Sequence, residues 1–362
     1  MAYSRPIYKR EDINLAGRLL AGQVCDFGPR QALTIINNWR SSHAFPLNAF
    51  HVTLRQRAQK VDAKALTAQR LKRLPSIGLK LARFPEMRLT QMQDLGGCRA
   101  VVRTVAAVDR LVVAYKEATA KNPKARHEFL HAKDYISEPK TDGYRSYHMI
   151  YRYRSKSRKH QAYNGLKIEI QIRSSLQHAW ATAVEIVSTF TGQALKSNIG
   201  DDSWKRFFKL MSTQMALREG RAPVPDTPTD LSELRTELRE LVDRLNVADV
   251  MAGCGAGLKA IEPKRKGRGK GKKAHTYLMI LDSQKRFTRT IGYTPAELMR
   301  AQEDYLELEK KNNDKPWIQT VLVSVDSIAT LKRAYPNYYL DSIAFTDAVE
   351  QALDGSAKTP QL

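Results

Sequence analysis

Cysteine is scarce. The 362 residues hold 3 cysteines, Cys25, Cys98 and Cys254, far apart in the chain. That spacing excludes a disulfide framework and any four-cysteine zinc site. Long apolar runs are missing too: no stretch approaches the roughly 18 consecutive apolar residues of a membrane helix. Residues 1–30 lack the apolar centre of a signal peptide, so a cytoplasmic protein with no membrane partner is expected. No internal repeat is visible. Acids are in short supply, with 37 Asp and Glu against 60 Lys and Arg, a formal net charge of +23. An excess of that size calls for a polyanionic partner or a phosphate-rich substrate. What the chain does have is core-forming material. A hydrophobic content of 42% argues against wholesale disorder, and the length suggests two or three domains.

The basicity is concentrated. Residues 1–215 hold 37 Lys and Arg against 16 Asp and Glu, whereas residues 216–362 hold 23 against 21. Seven cations of the second part stand in one run, residues 264–273, so the rest of that part is mildly acidic. Residues 222–229 (Ala-Pro-Val-Pro-Asp-Thr-Pro-Thr) form a stiff linker. The expected organisation is a basic domain over 1–215, a linker and connecting helix over 216–246, and a C-terminal domain over 247–362. Such a charge balance suits docking of the second domain on the first, and ordinary solubility would also produce it.

Apolar spacing at i, i+3 and i+4 predicts helices over 31–39 and 50–71, with residues 45–48 (Phe-Pro-Leu-Asn) breaking the pattern between them. A helix over 76–84 follows, with Pro75 near its first position. Short β-rich runs come at 99–105, 147–154 and 167–172. In the last, Ile168, Ile170 and Ile172 fall on one face and Glu169, Gln171 and Arg173 on the other. Residues 174–190 return to helix. Beyond the linker, 230–245 reads as an amphipathic helix capped by Asp230. Residues 253–273 are rich in glycine and lysine and are expected to be mobile. Strands at 275–281, 287–293 and 318–325 surround a helix over 295–311. The fold class is α+β: a mixed sheet with flanking helices, then a small second α+β unit.

Four segments carry chemistry. Residues 70–80 (Arg-Leu-Lys-Arg-Leu-Pro-Ser-Ile-Gly-Leu-Lys) set cations before and within a helix start, where the backbone also favours anions. Ser76 and Lys80 share a face. The P-loop pattern is absent, and a solvated basic helix would look the same. Asp94 precedes a Gly-Gly step into a buried strand, which suits a carboxylate projected into a cleft; an ordinary turn aspartate would sit there as well. In residues 140–148 (Lys-Thr-Asp-Gly-Tyr-Arg-Ser-Tyr-His), Gly143 permits an unusual turn, and Tyr144 follows as an exposed ring beside Lys140. That is a platform for a nucleobase, or else a hairpin leading to an edge strand. Glu169 and Asp94 together would suffice for Mg²⁺, because substrate phosphates complete its shell. His178 and Trp180 follow on a helix, where Trp180 reads as packing.

In this order the segments resemble the synthetase domain of the RelA/SpoT homologues, the alarmone synthetases, over residues 54–188. The motifs are R-x-K-x-x-x-S-x-x-x-K, D-L-x-G-x-R, K-x-x-G-Y-R-S-x-H and E-I-Q-I-R. The resemblance implies a mixed sheet of nucleotidyltransferase type and transfer of pyrophosphate from ATP to a ribose 3′-hydroxyl. By position it implies that Arg70 and Arg99 hold adenine and that Lys72, Ser76 and Lys80 bind the phosphates. Asp94 and Glu169 would hold Mg²⁺, with Glu169 also helping to deprotonate the acceptor. Tyr144 would stack on the acceptor base, with Lys140, His148, Gln171 and His178 around it. No His-Asp dipeptide occurs, so the hydrolase half of the long enzymes is not expected.

Tyr335-x-x-Tyr338, with residues 39–48 (Trp-Arg-Ser-Ser-His-Ala-Phe-Pro-Leu-Asn), looks like the CapRel group of fused toxin–antitoxin proteins. This implies a toxin that pyrophosphorylates the 3′ CCA end of tRNA. It also implies a zinc-finger-like antitoxin domain that masks the ATP site through Tyr335 and Tyr338 until a phage capsid protein binds. Only Cys254 and His275 offer soft ligands in the second domain, so no zinc is expected. Two packing aromatics would also explain the tyrosines. Other readings stay open: an alarmone synthetase acting on GDP or GTP with a regulatory domain, or a catalytically inactive nucleic-acid-binding module. The charge of residues 1–215 favours tRNA. Arg55, Arg57, Lys60, Lys64 and Arg73 are candidates for its surface, unless they serve solubility alone.

Overall fold

The computed structural model describes the chain except residues 1–2, 24–26, 122–126, 192–194, 196–200, 256–258, 262–273, 313–314, 316, 326, 340–341 and 356–362. The basic run at 264–273, and with it most of the segment expected to be mobile, therefore lies outside the described residues, as does the side chain of Cys254.

The first part supplies strands β1 (Leu66–Leu71), β2 (Gly96–Val102), β3 (Glu128–Asp134), β4 (Tyr147–Arg152) and β5 (Lys167–Ser174). The second supplies β6 (Lys259–Ile261), β7 (Thr276–Asp282), β8 (Phe287–Tyr293) and β9 (Ile318–Ser324). All join one mixed sheet in the order β3-β4-β5-β2-β1-β9-β7-β8-β6. The β2–β5 and β6–β8 pairs are parallel and the others antiparallel. The two parts meet where β1 pairs with β9, Gln69 opposite Ser324 and Arg70 opposite Val323.

The helices are α1 (Arg10–Leu20), α2 (Pro29–Ser42), α3 (Ala44–Val61), α4 (Leu74–Arg83), α5 (Val105–Lys121) and α6 (Ser175–Thr191). Then come α7 (Asp202–Arg218), α8 (Leu231–Arg244), α9 (Val247–Gly255), α10 (Leu298–Lys311), α11 (Ile328–Ala334) and α12 (Ile343–Asp354). Asp230 caps α8 as expected, accepting from the N–H groups of Ser232 and Glu233.

One helical expectation needs correction. Residues 45–48 do not break a helix; they open α3, because Pro46 sits in the first turn, where its missing N–H has no intrahelical partner to lose. Nor does the helix reach residue 71. It ends at Val61, where Asp62 turns extended and its carboxylate accepts from the backbone N–H groups of Lys64 and Arg103. Residues 66–71 are strand β1, flanked by β2 and β9.

The period-two alternation of β5 sorts the sheet into two faces. Ile168, Ile170 and Ile172, with Cys98, Ala100 and Val102 of β2, pack against α3 and α5 in the main core. A second core joins α6, α7, α8 and α12 through Trp180, Phe208, Leu234, Leu238 and Phe345. A third unites both parts of the chain, since Ala68 of β1 and Ile186 of α6 pack with Met279, Val321, Tyr335 and Tyr338. The sheet face carrying Arg70, Arg99, Glu169, Gln171 and Arg173 faces a cavity, with Ala68 and the third core at its side.

Candidate active site

Register brings the polar side chains together. In the parallel β2–β5 pair, Gly97 lies beside Glu169 and Arg99 beside Gln171. The antiparallel β4–β5 pair sets His148 opposite Gln171. These residues line a cavity of about 720 Å³ together with Arg70, Lys72, Lys80, Asp94, Lys140, Tyr144 and Arg173.

One wall is built on Asp94, just before β2. Its carboxylate takes Lys72 Nζ at 2.9 Å on one oxygen and Lys80 Nζ at 3.0 Å on the other. Lys72 follows β1 and Lys80 lies on α4, so the acid ties strand and helix together. Burial pushes the Asp94 carboxyl up, but the two ammonium groups and their hydrogen bonds outweigh it and hold it down at about 2. Ser76 is on the first turn of α4, half-buried and outside the cavity lining.

The opposite wall is a closed hydrogen-bonded ring. His148 Nδ1 lies 2.9 Å from Glu169 Oε1, and the Tyr144 hydroxyl lies 2.9 Å from His148 Nε2. With Nδ1–H donating to the carboxylate, Nε2 accepts from the tyrosine. Arg173 Nη2 donates to that same hydroxyl at 2.6 Å and to Gln171 Oε1 at 2.9 Å. Gln171 Nε2 closes the ring on Glu169 Oε2 at 2.8 Å. Burial would raise the Glu169 pKa, yet the bonds from His148 and Gln171 keep it below the usual carboxylate range. Gly143 takes the left-handed conformation, φ +90°, and a Cβ there would meet Ser212 Cβ at 2.9 Å. The turn expected at Gly143 is therefore confined to glycine. Tyr144 is half-buried, not exposed, because its hydroxyl is held in the ring; Lys140 Nζ lies 5.0 Å from its centroid. Nor is β4 an edge strand, since β3 covers it.

The third side is basic and aromatic. Burial and the neighbouring Arg173 lower Arg99 to about 10, and its guanidinium lies 5.3 Å from the Tyr335 ring centroid. Burial works against the charge of Arg70 as well, but Glu185 on α6, with the nearby tyrosines, more than compensates. His178, expected around the acceptor, does not line the cavity. It bridges Arg99 Nη1 and the Arg333 carbonyl, each at 3.4 Å, and burial followed by the adjacent guanidiniums drives its pKa well down, so the ring is neutral. Tyr335 and Tyr338 are 2% and 1% exposed, their rings 6.5 Å apart edge to face, and of the two Tyr335 reaches the cavity.

The expected nucleic-acid surface lies elsewhere. Arg55, Arg57 and Lys60 are on α3 and Lys64 just after it, against the opposite sheet face, and none lines the cavity. Arg57 covers the Tyr115 ring at 4.3 Å, and Arg73 donates to Gln319 at 3.0 Å. The cavity lining instead includes Lys133 on β3, Tyr135 just after it, and Lys205 and Lys209 on α7. These four escape a reading of the sequence, because 128–134 does not alternate in hydrophobicity and no motif marks α7. A Lys and a Tyr shortly before Tyr144 are the available signal, and Lys140 Nζ does sit 4.7 Å from the Tyr135 centroid. Trp180 is a packing residue, donating to the Phe208 carbonyl at 2.7 Å.

Residues 69–189, which hold both carboxylates, match the model of the region found in RelA/SpoT proteins. The chain carries a RelA/SpoT region. GTP pyrophosphokinase YjbM of Bacillus subtilis (strain 168) is 33% identical over 121 residues, 31% of this chain and 51% of that protein. The chain thus spans about half the length of this curated relative. Among solved structures, small alarmone synthetase 1 from Bacillus subtilis bound to its product pppGpp is 21% identical, with a TM-score of 0.40, covering 53% of this chain and 93% of that one. A GTP pyrophosphokinase family protein from Streptococcus pneumoniae is also 21% identical, with a TM-score of 0.37, over 58% and 93%.

Among the described residues, no cluster of three or more His, Cys, Asp or Glu could hold a metal ion. The RelA/SpoT region's donor set fits magnesium all the same. Asp94 and Glu169 are both held ionised in one cavity, and magnesium usually takes one or two carboxylates plus phosphate and water oxygens. No described helix is long and apolar enough to cross a membrane.

Proposed function

We propose that this cavity transfers pyrophosphate from ATP to the 3′-hydroxyl at the CCA end of tRNA. The observation that carries the reading is the pairing of two unlike carboxylates in one cavity within the RelA/SpoT region. Asp94 is held by two lysines and Glu169 by a histidine and an amide. Lys72 and Lys80 meet the triphosphate, with Ser76 at the start of the same helix. Arg70 and Arg99 form the flat cationic wall for adenine. Tyr144, with Lys140 over its ring, receives the acceptor base. The 3′-oxygen attacks the β-phosphorus, the bond from that phosphorus to the α,β-bridging oxygen breaks, and AMP leaves. Glu169, ionised and steadied by His148, takes the hydroxyl proton. Magnesium held by Asp94 and Glu169 would neutralise the phosphates.

Tyr335 lies where adenine would stack on Arg99, so the docked arrangement is read as an autoinhibited state of a toxin. A phage protein such as the capsid protein is proposed as the trigger that undocks residues 247–362. Lys133 and Lys140 in the lining, with Lys205 and Lys209 once released from Asp202 and Asp226, suit an acceptor with several phosphates. Transfer to GDP or GTP, as an alarmone synthetase, is the competing reading, favoured by the name of the curated relative. Incubation of full-length Tyr335→Ala, in which the proposed block is lifted, with β,γ-labelled ATP, total tRNA and GTP together separates them. Label on tRNA is expected. Label on GTP alone overturns the acceptor assignment, and label on neither overturns the transfer.

A further inference from the structure

A buried polar contact between α2 and α10 lies behind the cavity, and no step of the transfer uses it. Arg40 on α2 is 1% exposed, and its Nη1 donates to Glu309 Oε2 at 2.6 Å. Tyr305, one turn earlier on α10, donates to Glu309 Oε1 at 2.7 Å, and its ring centroid lies 4.8 Å from the Arg40 guanidinium. The same Oε1 accepts from the backbone N–H of Leu74 at 3.0 Å. Leu74 is the first residue of α4, whose preceding residue provides no side-chain cap. A carboxylate from the far end of the chain therefore closes the helix that carries Ser76 and Lys80.

We propose that Arg40, Tyr305 and Glu309 form the latch that holds the C-terminal segment over the donor side of the cavity. As regulation, this rests on the proposed pyrophosphate transfer in that cavity. Two features suit a contact that is meant to open. Arg40 Nε and Nη2 have no hydrogen-bond partner among the described residues, so the buried guanidinium is satisfied there through one nitrogen, and its dehydrated donors offset much of what the ion pair contributes. The strand joint beside it is short, Gln69 with Ser324 and Arg70 with Val323. Docking thus rests on this polar contact together with the third core, and a partner that binds the undocked form better shifts the balance between the two states. Undocking removes the anion from Arg40 and from the Leu74 N–H together.

Hydrogen exchange of the full chain, read at β9 and at the first turn of α4, tests the latch apart from catalysis. Glu309→Gln and Arg40→Met should each speed exchange at both places, on the order of a hundredfold, because each leaves one buried charge unpaired. The double variant Arg40→Met/Glu309→Met should return protection at β9 to the parent level or beyond, since no charge then remains to bury, while the Leu74 N–H, deprived of its acceptor, stays fast. Tyr305→Phe, which removes one hydroxyl, should move exchange the same way by about tenfold and decides the matter if a single charge variant does not fold. Unchanged exchange in the single variants, or a double variant as open at β9 as they are, overturns the latch. Variants that open and yet make no product support the latch and contradict the proposed transfer instead.

Discussion

Asp94 and Glu169 share a cavity, but their neighbours differ in kind. Two ammonium groups grip Asp94, whereas a histidine and an amide steady Glu169. The first arrangement suits a carboxylate that trades its lysines for a metal and phosphates, the second a carboxylate beside a proton donor. Asp94→Asn and Glu169→Gln should each lower kcat by a hundredfold or more, since losing one positioned charge in such a step costs about 3 kcal/mol; thermal melts should confirm that both fold. Asp94 also sets an acid limit on stability. Its folded pKa of about 2 lies below the ordinary 3.8, so its contribution is complete above pH 3.8 and is lost as pH falls toward 2. Urea melts between pH 5 and pH 2 should show that loss in the parent and not in Asp94→Asn. Tyr144→Ala should raise the acceptor KM by ten- to a hundredfold through a lost stacking platform of about 1–3 kcal/mol, leaving ATP binding unchanged. A matching loss of ATP affinity would assign Tyr144 to the donor side.

At the scale of elements, Gly143 joins α7 to the wall that carries Tyr144: its carbonyl accepts from Ser212 at 2.6 Å, and a side chain there would collide with that residue. Gly143→Ala should therefore lower Tm and raise the acceptor KM together, which calorimetry and kinetics can read on one sample. The elements legible in the sequence are those with a clean period or end signal. The strands β5 and β7–β9, the helix α4 behind Pro75, and α8 behind Asp230 all fall close to where spacing and caps put them. β1 is illegible for a physical reason. It is flanked by β2 and β9, and five of its six residues are buried, so nothing marks its period of two. The motifs make Asp94, Glu169, Lys72, Lys80 and Tyr144 visible as candidates. The ring through Arg173 and the capping of α4 by Glu309 depend on long-range packing that no local spacing records.

The whole molecule is held by one sheet that crosses from the RelA/SpoT region into the C-terminal strands, with Tyr335 against Arg99 beside the joint. If this closed form is the inactive one, removing the Tyr335 ring from Arg99 should switch the cavity on. Tyr338 is a poorer probe, because it lies behind Tyr335 in the apolar core and its carbonyl accepts from Thr288 at 2.6 Å. The most direct measurement follows AMP release and labelled pyrophosphate on tRNA for three full-length proteins: the parent, Tyr335→Ala, and Tyr335→Ala/Asp94→Asn. Autoinhibition by Tyr335 predicts little product from the parent, at least tenfold more from Tyr335→Ala with one AMP per modified tRNA, and none from the double variant. Equal product from parent and Tyr335→Ala, or product that survives the loss of Asp94, would contradict it.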